Sequence, residues 1–180
     1  MKKPTLYLIS FSSTLALLFA VFLSLDSPNI NANGIEPASP AAPTRPEFSL
    51  PDLQGNIRHI KEWDGKYIVL NFWATWCPPC RKEIPEFIAL QKEYGDSNLQ
   101  FIGVAIDDAV SVDQYALEMG INYPNLIAEM SGIELARQYG NAMGALPYSV
   151  IINPQGKIIT RQVGLLDRKK ILAATRLSKS

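Results

Sequence analysis

Cys77 and Cys80 are the only thiols in a chain of 180 residues, and they stand as Cys-Pro-Pro-Cys directly behind a run of strand-forming residues. Each chemistry open to such a pair makes a further demand on the sequence. A structural zinc needs four ligands, and beyond two thiolates the chain has one histidine, His59. Haem attachment needs a histidine directly after the second cysteine, where Arg81 stands. Catalysis by a cysteine-histidine pair would have to recruit His59, far upstream. A purely structural disulfide across two residues closes too small a loop to restrict the unfolded chain much. Thiol-disulfide exchange is the chemistry that remains.

The flanking residues supply the geometry that exchange needs. Tyr67 to Trp73 (YIVLNFW) is almost all apolar, which predicts a strand buried on both faces. A helix from about Cys77 to Tyr94 must follow and cover it. Cys77 then sits at the helix N-terminus, where unpaired N–H groups and the helix dipole stabilise a thiolate. Cys80, one turn further in, is placed to attack the mixed disulfide that Cys77 forms with a client and so release it. Pro78 and Pro79 cost few hydrogen bonds in a first turn and stiffen the loop. They also bring no cation to the dithiol, which makes the pair less oxidising than a dedicated disulfide donor. Trp76, next to Cys77, is the aromatic residue placed to meet a client, with Pro78 and Pro79 beside it.

On a helical wheel Glu83 falls inside the apolar arc made by Leu90, Tyr94, Phe87, Ile84 and Ile88, with Cys80 at its centre. A carboxyl there is desolvated and its pKa raised, so it can accept the proton that Cys80 loses before attacking. The competing expectation is a Glu83 that reaches the surface or pairs with Arg81, with Pro85 bending the helix.

The remaining elements follow from periodicity and turn residues. Phe48 to Ile60 carries apolar residues on both sides of Gln-Gly-Asn and predicts a β-hairpin. Strands are expected at 99–107, around 123–128, at 148–153 and at 157–163, with helices at about 112–119 and 132–139 and a last one opening near Asp167. Strands alternating with helices and a closing hairpin argue for an α/β fold, a mixed sheet flanked by helices.

Ahead of this domain, assigned to residues 47–180, Lys2 and Lys3 precede an uncharged run from Thr5 to Leu25. As a helix those residues would span roughly 31 Å, enough to cross a bilayer with the lysines left in the cytoplasm. Residues 1–25 therefore read as a membrane anchor, with Ile30-Asn31-Ala32 keeping open a cleaved signal peptide. Residues 26–46 hold Pro28, Pro37, Pro40, Pro43 and Pro46 and read as an extended tether. The domain is thus expected outside the cytoplasmic membrane, facing the periplasm or cell exterior, or soluble in the periplasm after cleavage. Lys+Arg and Asp+Glu are both 17, which gives no basic face for nucleic acid.

Asn71-Phe-Trp-Ala-Thr-Trp-Cys-Pro-Pro-Cys-Arg-Lys-Glu-Ile-Pro85 followed by Leu146-Pro147 resembles the TlpA/ResA/CcmG group of thioredoxin-like proteins. The resemblance covers about residues 47 to 180. It implies a thioredoxin-like fold with an N-terminal β-hairpin and a central helix-strand insertion, matching the segments at 48–60 and 112–128. It also implies a membrane-anchored or periplasmic reductant with no cofactor beyond the redox-active Cys77–Cys80 disulfide. Its clients would be exported cysteine-containing proteins, either apocytochrome c or copper-oxidase subunits, and its electron donor a membrane thiol transporter of the CcdA/DsbD kind. By the same resemblance Glu83 tunes the site. Leu146 offers its backbone to an extended client, and Pro147 is the cis-proline facing the dithiol. Classical thioredoxin has a buried Asp six residues before its first cysteine. Here Asn71, which takes no proton, holds that position and throws more weight on Glu83. Tyr148 stands where the family often has Thr, which makes altered client contacts an expectation. Two other functions remain in view. A thiol peroxidase expects Thr three residues before its reactive cysteine, where Ala74 stands. A copper chaperone of the Sco kind uses CxxxC and a distant histidine.

Overall fold

The computed structural model describes residues 42–178. The expected membrane segment and all but the end of the Pro-rich tether lie outside the described residues. Among the described residues no helix is long and apolar enough to cross a membrane.

The first two strands, β1 (Ser49–Pro51) and β2 (Ile57–His59), pair antiparallel as the expected hairpin. Asp52 ties its turn by accepting from the backbone N–H groups of Gln54 at 3.0 Å and Asn56 at 2.9 Å. The main sheet has five strands in the order β5-β4-β3-β6-β7. They are β3 (Tyr67–Trp73), β4 (Leu99–Ala105), β5 (Asn125–Ile127), β6 (Tyr148–Ile152) and β7 (Ile158–Val163). The first three run parallel, and β6 and β7 are antiparallel additions on the other side of β3. The α-helices among the described residues are, in chain order, α1 (Pro78–Tyr94), α2 (Ala109–Met119), α3 (Ser131–Gln138) and α4 (Arg168–Thr175).

Because successive side chains of a strand point to opposite faces, central β3 divides the core in two. Ile68, Leu70 and Phe72 face a layer containing Ala136 of α3, Tyr139, and Ile60 and Trp63 of the 3-10 turn that follows β2. Val69 faces Phe87, Leu90 and Tyr94 of α1 and Ile171 of α4. Trp73, on that second face, packs with Cys80 and Ile84 of α1 and Val112 and Tyr115 of α2. Asn71 lies between Val69 and Trp73 in this alternation and is aimed at α1 as they are.

Several boundaries differ from the expectation, each for a local reason. Helix α2 starts three residues early because Asp108 caps it, its carboxylate accepting from Ser111 N–H at 2.9 Å. Strand β4 stops at Ala105 instead of 107, and Asp107 turns to the dithiol loop. The tether's last residues are already part of the packed domain. Arg45 N–H donates to Gly156 at 2.9 Å, Ile158 N–H to Pro43 at 2.9 Å, and the Tyr139 hydroxyl to Pro46 at 2.6 Å. The boundary drawn between 46 and 47 therefore falls inside packed chain, because proline spacing reports extended backbone and not whether that backbone finds an edge to pair with.

Candidate active site

Helix α1 begins where sequence reasoning placed it. Cys77 is its N-cap, with extended backbone (φ −93°, ψ 105°), and its Sγ accepts from the N–H of Cys80 at 3.3 Å. That bond is the interaction that makes a helix N-terminus favour negative charge on sulfur. Pro78 and Pro79 fill the first helical positions. Cys77 and Cys80 are joined as a disulfide, their Cα atoms 5.3 Å apart. The preceding loop is pinned by Asp107, which accepts from Thr75 N–H at 3.0 Å and from its hydroxyl at 2.5 Å.

The two sulfurs differ in access. Cys80 is fully buried, whereas Cys77, at 4% exposure, lines a groove of about 420 Å³. Its walls come from four separate segments: Trp76, Pro78 and Pro79 of the dithiol loop, Ile106 after β4, Met130 and Ile133 at the start of α3, and Gly144 and Leu146 before β6. Trp76 is 63% exposed beside Cys77, whereas Trp73 belongs to the core. The Leu146–Pro147 peptide is cis. Pro147 O accepts from Gly164 N–H at 2.8 Å, while among the described residues none hydrogen-bonds the Leu146 backbone. Tyr148 does not line this groove. Its ring is buried in the core and its hydroxyl donates to Tyr139 O at 2.9 Å, because strand alternation turns it away from the groove.

Glu83 is 4% exposed and lies one turn beyond Cys80 on the same helical face. Its Oε1 accepts from Asn71 Nδ2 at 2.7 Å and its Oε2 from Leu166 N–H at 3.0 Å. Burial raises its pKa to about 7, and the two donors, which favour the ionised form, offset part of that rise. Arg81 does not pair with it, since its guanidinium lies over the Tyr115 ring, 5.4 Å from the centroid. Helix α1 continues through Pro85 to Tyr94, so the wheel holds past the proline. A second opening of about 310 Å³ reaches Glu83 between Lys82, Leu165 and Lys169, and shares no residue with the groove at Cys77.

His59 lies in the hairpin, its Nδ1 2.6 Å from Ser49 Oγ, apart from the dithiol. Among the described residues no three His, Cys, Asp or Glu side chains cluster as metal ligands would. Sequence reasoning missed Ile106, Met130, Ile133 and Gly144 as groove residues, and Asp107, Ser149 and Leu166 as supports. Only Asp107 carries a local signal, a carboxylate closing a parallel strand at the end of the sheet where sites form. The others arrive through pairing across long separations.

The comparisons agree with this geometry. Residues 42–161 match the AhpC/TSA family. The thiol-disulfide oxidoreductase ResA of Bacillus thuringiensis is 32% identical over 127 residues, 70% of this chain and 71% of that protein. ResA of Halalkalibacterium halodurans is 33% identical over 125 residues, 69% of each. Among solved structures, a thiol:disulfide interchange protein of the thioredoxin family from Chlorobium tepidum superposes with a TM-score of 0.69. It is 28% identical and is matched over 77% of this chain and 97% of its own. A thiol-disulfide oxidoreductase from Bacteroides fragilis gives 0.63 at 27% identity, over 73% and 96%. With the fold, the dithiol and the relatives in agreement, the chain belongs to the AhpC/TSA family as a thiol-disulfide oxidoreductase of the TlpA/ResA/CcmG-like kind.

Proposed function

We propose that this oxidoreductase works outside the cytoplasmic membrane as a reductant of exported protein cysteines. The carrying observation is the asymmetry of the dithiol: Cys77 caps a helix at the floor of an open groove, and Cys80 is sealed behind it. In the reduced enzyme the Cys77 thiolate attacks a client disulfide. A Cys77–client disulfide forms, the client S–S bond breaks, and one client sulfur leaves as thiolate. Glu83 takes the proton of Cys80, whose thiolate attacks Cys77 Sγ. The second client sulfur leaves and the Cys77–Cys80 disulfide closes. Two electrons have passed to the client, which takes up two protons, and no bound cofactor takes part. A membrane dithiol donor of the CcdA/DsbD kind returns the electrons. The uncharged Pro78-Pro79 pair and a groove lined by no charged side chain support the reducing direction, since nothing cationic holds the thiolate form. The Thr5–Leu25 run supports anchoring with the domain outside.

Two other functions fit less well. Ala74, three residues before Cys77, is buried and offers no hydroxyl to a peroxide. His59, bonded to Ser49 in the hairpin, is not grouped with the cysteines as a copper chaperone's ligands would be.

Replacing Cys80 by Ser in cells strands the reaction at the mixed disulfide. Capture of apocytochromes on Cys77 assigns the protein to cytochrome c maturation, and capture of copper-oxidase subunits assigns it to oxidase assembly. No mixed disulfide, together with tight Cu(I) binding by the purified protein, overturns the reductase reading.

A further inference from the structure

The groove at Cys77 has a composition that chooses among clients. Its walls include Trp76, Pro79, Ile106, Met130, Ile133 and Leu146, and no charged side chain lines it. Met130 is 73% exposed and unbranched, so it can follow side chains of different shape. Gly144 lies beside Ile133: a Cβ there would make ordinary contact with Ile133 Cγ2 at 3.6 Å, and it is the φ of +64° that favours glycine. Leu146 also lines the groove, and its backbone has no hydrogen-bond partner among the described residues, so a client lying extended beside it can supply one.

An extended segment has a fixed alternation. When the client cysteine points down to Cys77, its immediate neighbours point away from the groove, and the residues two places off point down with it, about 6.6 Å along the chain. We propose that the groove reads the residue two places from the client's reactive cysteine, prefers an apolar side chain there, and uses Met130 and Ile133 as its specificity-determining wall. The substrate class is an extended segment with an uncharged, apolar side chain on the same face as its cysteine. A charged side chain in that position would be desolvated with no partner. This rests on the reading of Cys77 as the attacking thiol.

Disulfide-linked dimers of one synthetic peptide make the two sulfurs equivalent and remove any ambiguity of attack. In such a series Leu, Ser, Asp or Lys is placed one or two residues from the cysteine on either side. The readout is the second-order rate constant for oxidation of the reduced full-length protein, followed by release of peptide thiol. Burial of a leucine side chain predicts that Leu outpaces Asp by about tenfold or more at a position two residues away, and by less than about twofold at adjacent positions. Met130→Lys should invert the Leu-to-Asp ratio at that same position, while Met130→Leu preserves it. Equal rates across the series, a dependence confined to adjacent residues, or an unchanged ratio in Met130→Lys would each overturn the proposal. Failure of the protein to reduce any of the peptides would instead sink the reductase reading on which it stands.

Discussion

Asn71 Nδ2 donates to Glu83 Oε1 across 2.7 Å, within the buried layer that also holds Cys80. The same amide nitrogen reaches Ser149 Oγ at 2.9 Å, so β3 and β6 together hold the carboxyl of α1 in place. Glu83 is the one buried carboxyl among the described residues. The strand position that carries a buried Asp in classical thioredoxin here carries a neutral donor, which leaves Glu83 the single buried carboxyl beside the dithiol among the described residues.

That arrangement makes stability depend on pH in a definite direction. Glu83 titrates near 7 when folded and near 4.5 when unfolded. Below about pH 4.5 both states hold the proton and the site costs nothing. Between there and 7 the unfolded state ionises first, so stability falls as pH rises, by at most about 3 kcal/mol once both states are ionised. Glu83→Gln removes the slope, because an amide does not titrate in this range, and the Asn71 amide can turn over to accept from it. Urea unfolding of the oxidised protein at about pH 4 and about pH 8 checks this. The variant gains on the wild type by about 2–3 kcal/mol at the higher pH, and parallel pH curves would refute it. In the proposed mechanism the same variant slows closure of the Cys77–Cys80 disulfide by about a hundredfold and erases its inflection near pH 7.

Asn71→Asp tests the neutral donor from the other side. It sets two carboxyls at hydrogen-bond distance in a buried layer, where they share one proton and cannot both ionise cheaply. Stability should fall by about 2–5 kcal/mol at pH 8, with most of the loss recovered near pH 4. An equal loss at both pH values would point to packing damage instead of charge.

What the sequence made legible is what short spacing controls. Cys77 as helix cap, Cys80 one turn in and Glu83 on the inner face follow from the 3.6-residue period of a helix that starts at a known place. The partners that give Glu83 its character were not legible. Asn71, Ser149 and Leu166 reach this layer through sheet order and the β7–α4 connection, and the hydrogen bonds span 12, 78 and 83 residues of sequence. The groove was half legible for the same reason. Trp76 and the prolines adjoin the cysteines, but Met130 and Ile133 get there only because β5 pairs with β4 and delivers α3 to the dithiol end of the sheet.

Gly103 holds the floor of that layer. A Cβ added to it would collide with Asn125 Oδ1 and stand 2.8 Å from Trp73 Nε1, the two atoms that form a buried hydrogen bond at 3.1 Å. Gly103→Ala must displace one of them. It should cost about 2–4 kcal/mol, through overpacking and loss of the indole's partner. Denaturation with fluorescence of the variant reads both effects. In an Asn125→Ala background the same substitution should cost less, because the colliding oxygen is gone.

Arg45 shows how far the folded domain extends before residue 47. Its side chain is 3% exposed and pairs with Glu47 at 2.7 Å and Asp64 at 2.6 Å, while Nε is buried with no hydrogen-bond partner among the described residues. Both carboxylates are more than half exposed, so water can replace the guanidinium once it is removed. The unpartnered Nε and the desolvated charge count against the arginine, and its buried stem counts for it. Arg45→Ala loses the stem and should cost about 2–4 kcal/mol. Arg45→Met keeps apolar length, sheds the buried charge and should lie within about 1 kcal/mol of the wild type. Thermal or urea unfolding of both variants separates packing from charge: if Met were as damaging as Ala, the ion pairs and not the stem would be what anchors residues 43–46 to the sheet.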